Sequence, residues 1–517
     1  MKTVITIVII LSLAAGSLYG AAAGQPPPIP TQEQPEVLTR GPVHEAFAEP
    51  VNLQIQAGLM VSNHPPANIK EIPPAERPQG GQYVWVPGYW SWDGDRNNYI
   101  WVSACWRAAP PNMSWVPGYW SQETGGWEWV AGFWTPASIQ DIEYLPAPPA
   151  YDYVQPPSRP PSPDNIWVPS CQYWYQGHYV QRPGYWLAQH PNWVWVPSYY
   201  VWTPRGYIFC EGHWDYPLED RGVLFAPVYF PQSVYGRSGF SYSPSIVVDL
   251  GMLIANLFTY PHYSHYYFGD YYDDAYLSIG IYPRYEVERI HTWYDPIYVY
   301  DRWHHRDEPR WEENVQHEYD RRHSDRDLRP PRTYHEMEIR QANMPQQQRK
   351  NIRMAEPLTV VAASKETSLK FEHINTKAQQ NIVTQATAVH TFSAERNRWE
   401  STPARQKTVQ PPTEHKVPVT TPAEHKGPVT SPAEHKEQVT QPKETKTQFV
   451  PPREVQITKP ERVKVPAPPI VGRQGATKKS PPPRPVNERT YKGEVKDTSK
   501  VNQSTDNTKD KGKNKGK

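Results

Sequence analysis

Between residues 83 and 214 large aromatic and β-branched residues alternate with a period of two, as in Tyr83-Val84-Trp85-Val86, and turn-forming residues interrupt them at regular intervals. A two-residue apolar period in Trp-, Tyr- and Val-rich segments predicts half-buried strands. The interruptions Asp93-Gly94-Asp95, Pro110-Pro111-Asn112 and Thr124-Gly125-Gly126 predict tight connections.

The alternation is carried by a repeated hexapeptide. It opens at Trp85, Trp101, Trp115 and Trp129, and again at Trp167, Gln181, Trp195 and Phe209. It closes five residues later at Trp90, Trp106, Trp120, Trp134, Gln172, Trp186, Tyr200 and Trp214. Its fourth position holds Gly88, Ala104, Gly118, Gly132, Ser170, Gly184, Ser198 and Gly212. The spacings are 16, 14 and 14 residues in the first set and 14, 14 and 14 in the second, so two four-repeat units suggest a duplication. The Pro-Gly pair at 87–88, 117–118 and 183–184 lacks one N–H donor and tolerates unusual dihedrals, which predicts a bulge or bend in the middle of the ribbon. Such a bend would let Trp85 and Trp90 share a face, and the glycine would leave room for an indole on the backbone. The predicted fold is mainly β: tandem antiparallel meanders of aromatic repeats in two four-strand units, with a small mixed region downstream and a long disordered C-terminal tail.

The remaining segments follow from composition. Residues 1–23 read as a signal peptide: Lys2, an apolar run from Val4 to Leu13, then Ala21-Ala22-Ala23. Residues 24–80 are Pro-rich, with a short strand expected near Val51 to Gln56. Repeat unit 1 spans 81–135, a Pro-rich linker 136–163, and repeat unit 2 164–216. A Tyr/His-rich region, 217–300, is expected to pack on the repeats, and Ile246 to Phe258 reads as a buried strand or helix. Residues 301–400 form a charged, partly helical segment, in which Leu358 to Trp399 predicts one or two helices without an evident docking face. Residues 401–517 contain decapeptide repeats such as Pro422-Ala423-Glu424-His425-Lys426 and cannot bury a core.

Charge sharpens the division. The net charge of +1 conceals 24 Lys+Arg against 12 Asp+Glu from Ser401 onward, a net of +12, which leaves the body at −11. A basic tail on an exported chain favours cell-surface polyanions or polysaccharide, or other envelope proteins, rather than nucleic acid. Cys105, Cys171 and Cys210 permit one disulfide at most, and their pairing is left open.

The repeat resembles the W-x-x-G-x-W repeat proteins, a family of exported bacterial proteins. Trp85 to Trp90, Trp115 to Trp120 and Trp129 to Trp134 match the motif in full, and the second unit matches more loosely. The resemblance covers about a quarter of the chain, Tyr83 to Trp214. It implies a fold unit and an exported setting, with no established activity or catalytic residue.

Catalytic signatures are scarce. The chain has no G-x-S-x-G, no H-E-x-x-H, no phosphate-binding glycine loop and no Cys pair at metal spacing. The nearest metal-like set is His262, His265, Asp270, Asp273 and Asp274, which reads equally as an aromatic loop with incidental polar residues. No cofactor and no metal is expected. The seventeen conventional motif positions, from Trp85 and Gly88 to Gly212 and Trp214, are expected to be structural. Whether the aromatics form a core or an exposed sugar-stacking face is left open, and closure into an outer-membrane barrel is disfavoured by the mid-strand Pro-Gly. The sequence thus points to a non-enzymatic structural or interaction protein of the cell exterior, with a glycan-binding module as the alternative.

Overall fold

The computed structural model describes residues 34–401 apart from 56, 140 and 366, together with 460–464, 470–471 and 481–485. The signal peptide and most of the tail assigned from sequence lie outside the described residues. The architecture is mainly β and its pairings are almost entirely antiparallel.

The unit of pairing is two repeats. In the first hairpin, Tyr83–Val86 pairs with Cys105–Ala108 and Tyr89–Asp93 with Asn98–Val102, so Trp85 faces Trp106 and Trp90 faces Trp101. The hairpin 113–136 repeats this register, with Trp115 opposite Trp134 and Trp120 opposite Trp129. In the second unit Trp167 faces Trp186 and Trp195 faces Trp214, whereas the tip-side pairs are Gln172 with Gln181 and Tyr200 with Phe209. The predicted meander is thus a succession of four bent hairpins. Tip chemistry fixes the register: between Cys171–Tyr175 and His178–Arg182, Gln176 and Gly177 have φ of +47° and +87°, the two positive values that a tight two-residue hairpin turn requires.

The mid-ribbon bend is present in every repeat, but its consequence differs from expectation. Trp85 and Trp106 pack with Phe225 and Val247, while Trp90 and Trp101 pack with Tyr263 and Tyr267 in a different cluster. The bend therefore sends the two indole pairs of one hairpin into separate cores instead of onto one face. The rings meet edge to face in most pairs, with centroids 5.0 Å apart at 63° for Trp85–Trp106 and 4.9 Å at 67° for Trp195–Trp214, and are tilted at 58° in Trp115–Trp134. The ring quadrupole favours this geometry over a face-to-face stack.

The downstream region closes over these hairpins. Gly222–Leu224 adds a third strand to Cys105–Ala108, and Val228–Tyr229 bridges Glu36–Val37 to the first hairpin. The apolar run from Ile246 divides into strand Ile246–Val248, helix Leu250–Ala255 and strand Leu257–Tyr260. Asp249 causes the division: its carboxylate accepts from the Met252 N–H and caps the helix.

One expectation is corrected. Helix Thr376–Glu400 has a docking face after all: Ala386, Val389, Phe392, Arg396 and Glu400 form a buried stripe. Arg396 donates to the carbonyls of Pro117 (2.9 Å) and Ala131 (3.0 Å) and pairs with Glu400 at 2.9 Å. Its sequence pattern is obscured because two of the five buried positions are charged.

Candidate functional site

At the bends of Gly88, Ala104, Gly132 and Gly212 the backbone N–H turns out of the ladder and a side chain receives it. In the first hairpin the acceptor is Glu71 from the Pro-rich segment. Its carboxylate takes the N–H of Gly88 (2.7 Å), the N–H of Ala104 (3.0 Å) and the indole N–H of Trp101 (2.9 Å). Glu45 fills the second hairpin, accepting from Gly132 N–H (3.1 Å) and Trp129 Nε1–H (3.3 Å), with Gly118 against the same carboxylate.

The glycines are required by indoles lying on the backbone. A Cβ on Gly118 would sit 2.6 Å from Trp129 Cζ2 and 2.7 Å from Glu45 Oε1. Gly88 lies beneath Trp101, Gly132 beneath Trp115 and Gly184 beneath Trp167 in the same way. The first Trp of one repeat thus covers the glycine of its hairpin partner. In the second unit the substitutions come in pairs: Ser198 replaces glycine where Phe209 replaces its Trp, and Ser170 does so where Gln181 replaces its Trp. Without the indole and carboxylate, Ser198 Oγ accepts from Gly212 N–H at 2.9 Å.

Burial dominates the electrostatics. It pushes Glu45 and Glu71 up to about 7 against the pull of their N–H donors, and pushes His265 down to about 3. His265 is fully buried, receives the Tyr89 hydroxyl at 2.6 Å and lies 4.0 Å from Glu45. A second buried set joins distant hairpins: Arg107 Nη2 donates to both Asp215 oxygens at 2.7 and 2.6 Å, and Arg221 reaches the same carboxylate at 3.0 Å. Both carboxylate oxygens are thereby satisfied, which burial of such a pair demands.

The metal-like set from the sequence is dispersed. Asp270 and Asp273 pair with Arg332 and Arg329, Asp274 meets His323, His265 joins Tyr89, and His262 is exposed. Among the described residues no group of three or more His, Cys, Asp or Glu side chains could hold a metal ion. Cys105, Cys171 and Cys210 are free thiols.

Ten of the motif tryptophans, Trp85, Trp90, Trp101, Trp106, Trp115, Trp120, Trp129, Trp134, Trp195 and Trp214, are buried. Trp167 and Trp186 are the exceptions. They are half-buried and line a 410 Å³ cleft with Tyr151, Tyr153, Arg302 and Arg306. No family model, curated protein or solved structure matches the chain. Geometry and chemistry alone carry the functional reading. A larger cavity of 560 Å³ lies between Leu250–Ala255 and Trp311–Ser324, floored by Ile254, Phe258 and Val315. Among the described residues no helix is long and apolar enough to cross a membrane.

The carboxylates were invisible to motif reasoning. Glu71 lies 17 residues before Gly88, and Glu45 lies 87 before Gly132. The paired loss of Trp and Gly in the second unit is a trace of the indole lying over the glycine and carries no mark of the carboxylates.

Proposed function

We propose that this chain is an exported, non-enzymatic structural and interaction protein of the cell envelope or surface, allied to the W-x-x-G-x-W repeat proteins. The observation that carries the reading is the fate of the repeat indoles. Ten are packed inside, and those of Trp101 and Trp129 donate to carboxylates of the same chain. Aromatic chemistry committed to internal cohesion builds a scaffold. The basic tail then supplies contact with surface polyanions or neighbouring envelope proteins. Cell fractionation with N-terminal sequencing tests the address, and cross-linking through tail lysines tests the contact. A mature N-terminus at Gly24 and cross-links to envelope polymers or proteins support the reading; retention in the cytoplasm with an intact Met1 overturns it.

A second reading has one observation in its favour. The half-buried Trp167 and Trp186 meet at 5.2 Å and 66° beside Arg302, Arg306 and Asn165 in the 410 Å³ cleft. Aromatic rings beside planar polar groups suit a sugar. Titration with soluble cell-wall oligosaccharides should then change tryptophan emission in the native chain and leave that of Trp186→Ala unchanged. An unaltered native spectrum removes the glycan reading.

A further inference from the structure

The basic tail is seated on the body at three places. Glu461–Lys464 pairs antiparallel with Asp141–Tyr144 in full register, matching Tyr144 to Glu461, Glu143 to Arg462, Ile142 to Val463 and Asp141 to Lys464. Further along, Ile470–Val471 pairs with Ser114 and Trp115, and Arg484 pairs with Glu211. The first contact is the built one. Arg205, at the tip of the last hairpin, forks onto Glu461 with Nε–H to Oε2 at 3.1 Å and Nη2–H to Oε1 at 2.5 Å. The same guanidinium donates to the Trp399 carbonyl at 2.5 Å and lies 5.6 Å from the Tyr144 ring. Arg462 meets Glu143 at 3.3 Å, and Val463 packs against the cluster that contains Ile142. Among the described residues, Asp141–Tyr144 has no other strand partner; its flank continues only as the bridge from Leu145 to Tyr207.

We propose that residues 461–464 are an exchangeable donor strand, and that the edge of Asp141–Tyr144 takes this strand from a second copy of the chain. An open edge with satisfied backbone pairing and a charge-matched ligand is the arrangement by which extended segments add to sheets. Nothing in the register distinguishes the chain's own strand from another copy's. The 58 residues between Ser401 and Pro460 make the choice a matter of concentration. A tethered ligand competes at an effective concentration of about millimolar or less, so crowded copies exchange strands and dilute copies do not. The inference names a partner for the scaffold. It rests on strand register and charge, so its failure leaves the reading drawn from the buried indoles untouched.

Two full-length variants test it. Arg205→Glu opposes its own Glu461, and Glu461→Arg opposes its own Arg205, so each alone should exchange the 461–464 amides at open-chain rates. Mixed, they are complementary in both directions. The expected result is a heterodimer, seen as a doubled mass in light scattering and as energy transfer between differently labelled chains. The double variant Arg205→Glu/Glu461→Arg should regain wild-type amide protection within one chain, which shows that the body has folded. A concentrated mixture that stays monomeric overturns strand exchange, and so does wild-type protection in either single variant.

Discussion

Glu71→Gln isolates the competition that governs the bends. The native carboxyl is buried, and burial lifts it from 4.5 to about 7. Because its folded value lies above its unfolded value, its contribution to stability is complete below pH 4.5 and is lost as pH rises to about 7. That displacement corresponds to roughly 3 kcal/mol. The carboxamide has the shape of the protonated acid but does not ionise. Its single oxygen can serve the Ala104 and Trp101 donors, leaving the Gly88 N–H against an NH2 group, and this deficit is the same at every pH. The stability gap between native protein and variant should therefore shift by roughly 3 kcal/mol in the variant's favour between about pH 4 and about pH 8. Urea unfolding followed by tryptophan emission at both pH values measures it. A gap that stays constant would mean that the three N–H donors outweigh burial and keep Glu71 ionised in the fold, and the argument would be wrong. Glu71→Ala provides the contrast: it strands all three donors, at about 1–3 kcal/mol each, and should destabilise at both pH values.

The same logic gives a pH profile for the whole protein. Glu45 and Glu71 at about 7 and Glu128 at about 8 should make the urea midpoint fall as pH rises from about 6.5 to about 8, a range where the buried His44, His213 and His265 are neutral in both states. Those histidines, lowered by burial, lose their contribution as pH falls below 6.5 towards 4, so a midpoint that climbs between 6.5 and 8 contradicts the assignment. Gly118→Ala forces a methyl against Trp129 and Glu45 and should cost about 1–3 kcal/mol, whereas an unshifted midpoint refutes the close approach. Arg396→Met leaves Glu400 buried without its cation and should cost about 3–5 kcal/mol, with part of the loss recovered in Arg396→Met/Glu400→Leu, which removes the buried charge but leaves the Tyr119 and Tyr144 hydroxyls without their acceptor. Limited proteolysis of helix Thr376–Glu400 reads the same defect. Native Cys105 and Cys210 should resist a thiol reagent until the chain unfolds, because burial removes access and raises both thiols; rapid labelling of either shows that its cluster is open.

Much of the β architecture was legible because it is periodic. The alternation through Tyr83-Val84-Trp85-Val86, the tip residues and the room above Gly118 are local signals, and each appears where expected. The direction of the indoles was not local. Whether Trp85 and Trp90 share a face depends on the sense of the bend, which is set by the clusters on either side. Glu45 and Glu71 gave no pattern because a carboxylate that seats in another segment has no period of its own. Arg396 and Glu400 interrupt the apolar stripe of helix Thr376–Glu400 and hide its docking face, since their partners are carbonyls and hydroxyls from residues 117–144. The acidic and imidazole groups at 262–274 are close in sequence without converging in space, and arginines some sixty residues downstream hold Asp270 and Asp273.

The Arg107–Asp215 ion pair has a consequence for how the polypeptide is made. A chain emerging from its N-terminus presents Glu71 before Gly88 exists and Arg107 more than a hundred residues before its counter-ion. Until Asp215 arrives, burying that guanidinium is prohibitively costly, so the early ribbons stay unlocked while the later ones are still being synthesised. Closure waits for the eighth repeat. A polymer that cannot lock until residue 215 is made stays a thread through all eight repeats, which is the state in which a protein can be passed through a narrow channel.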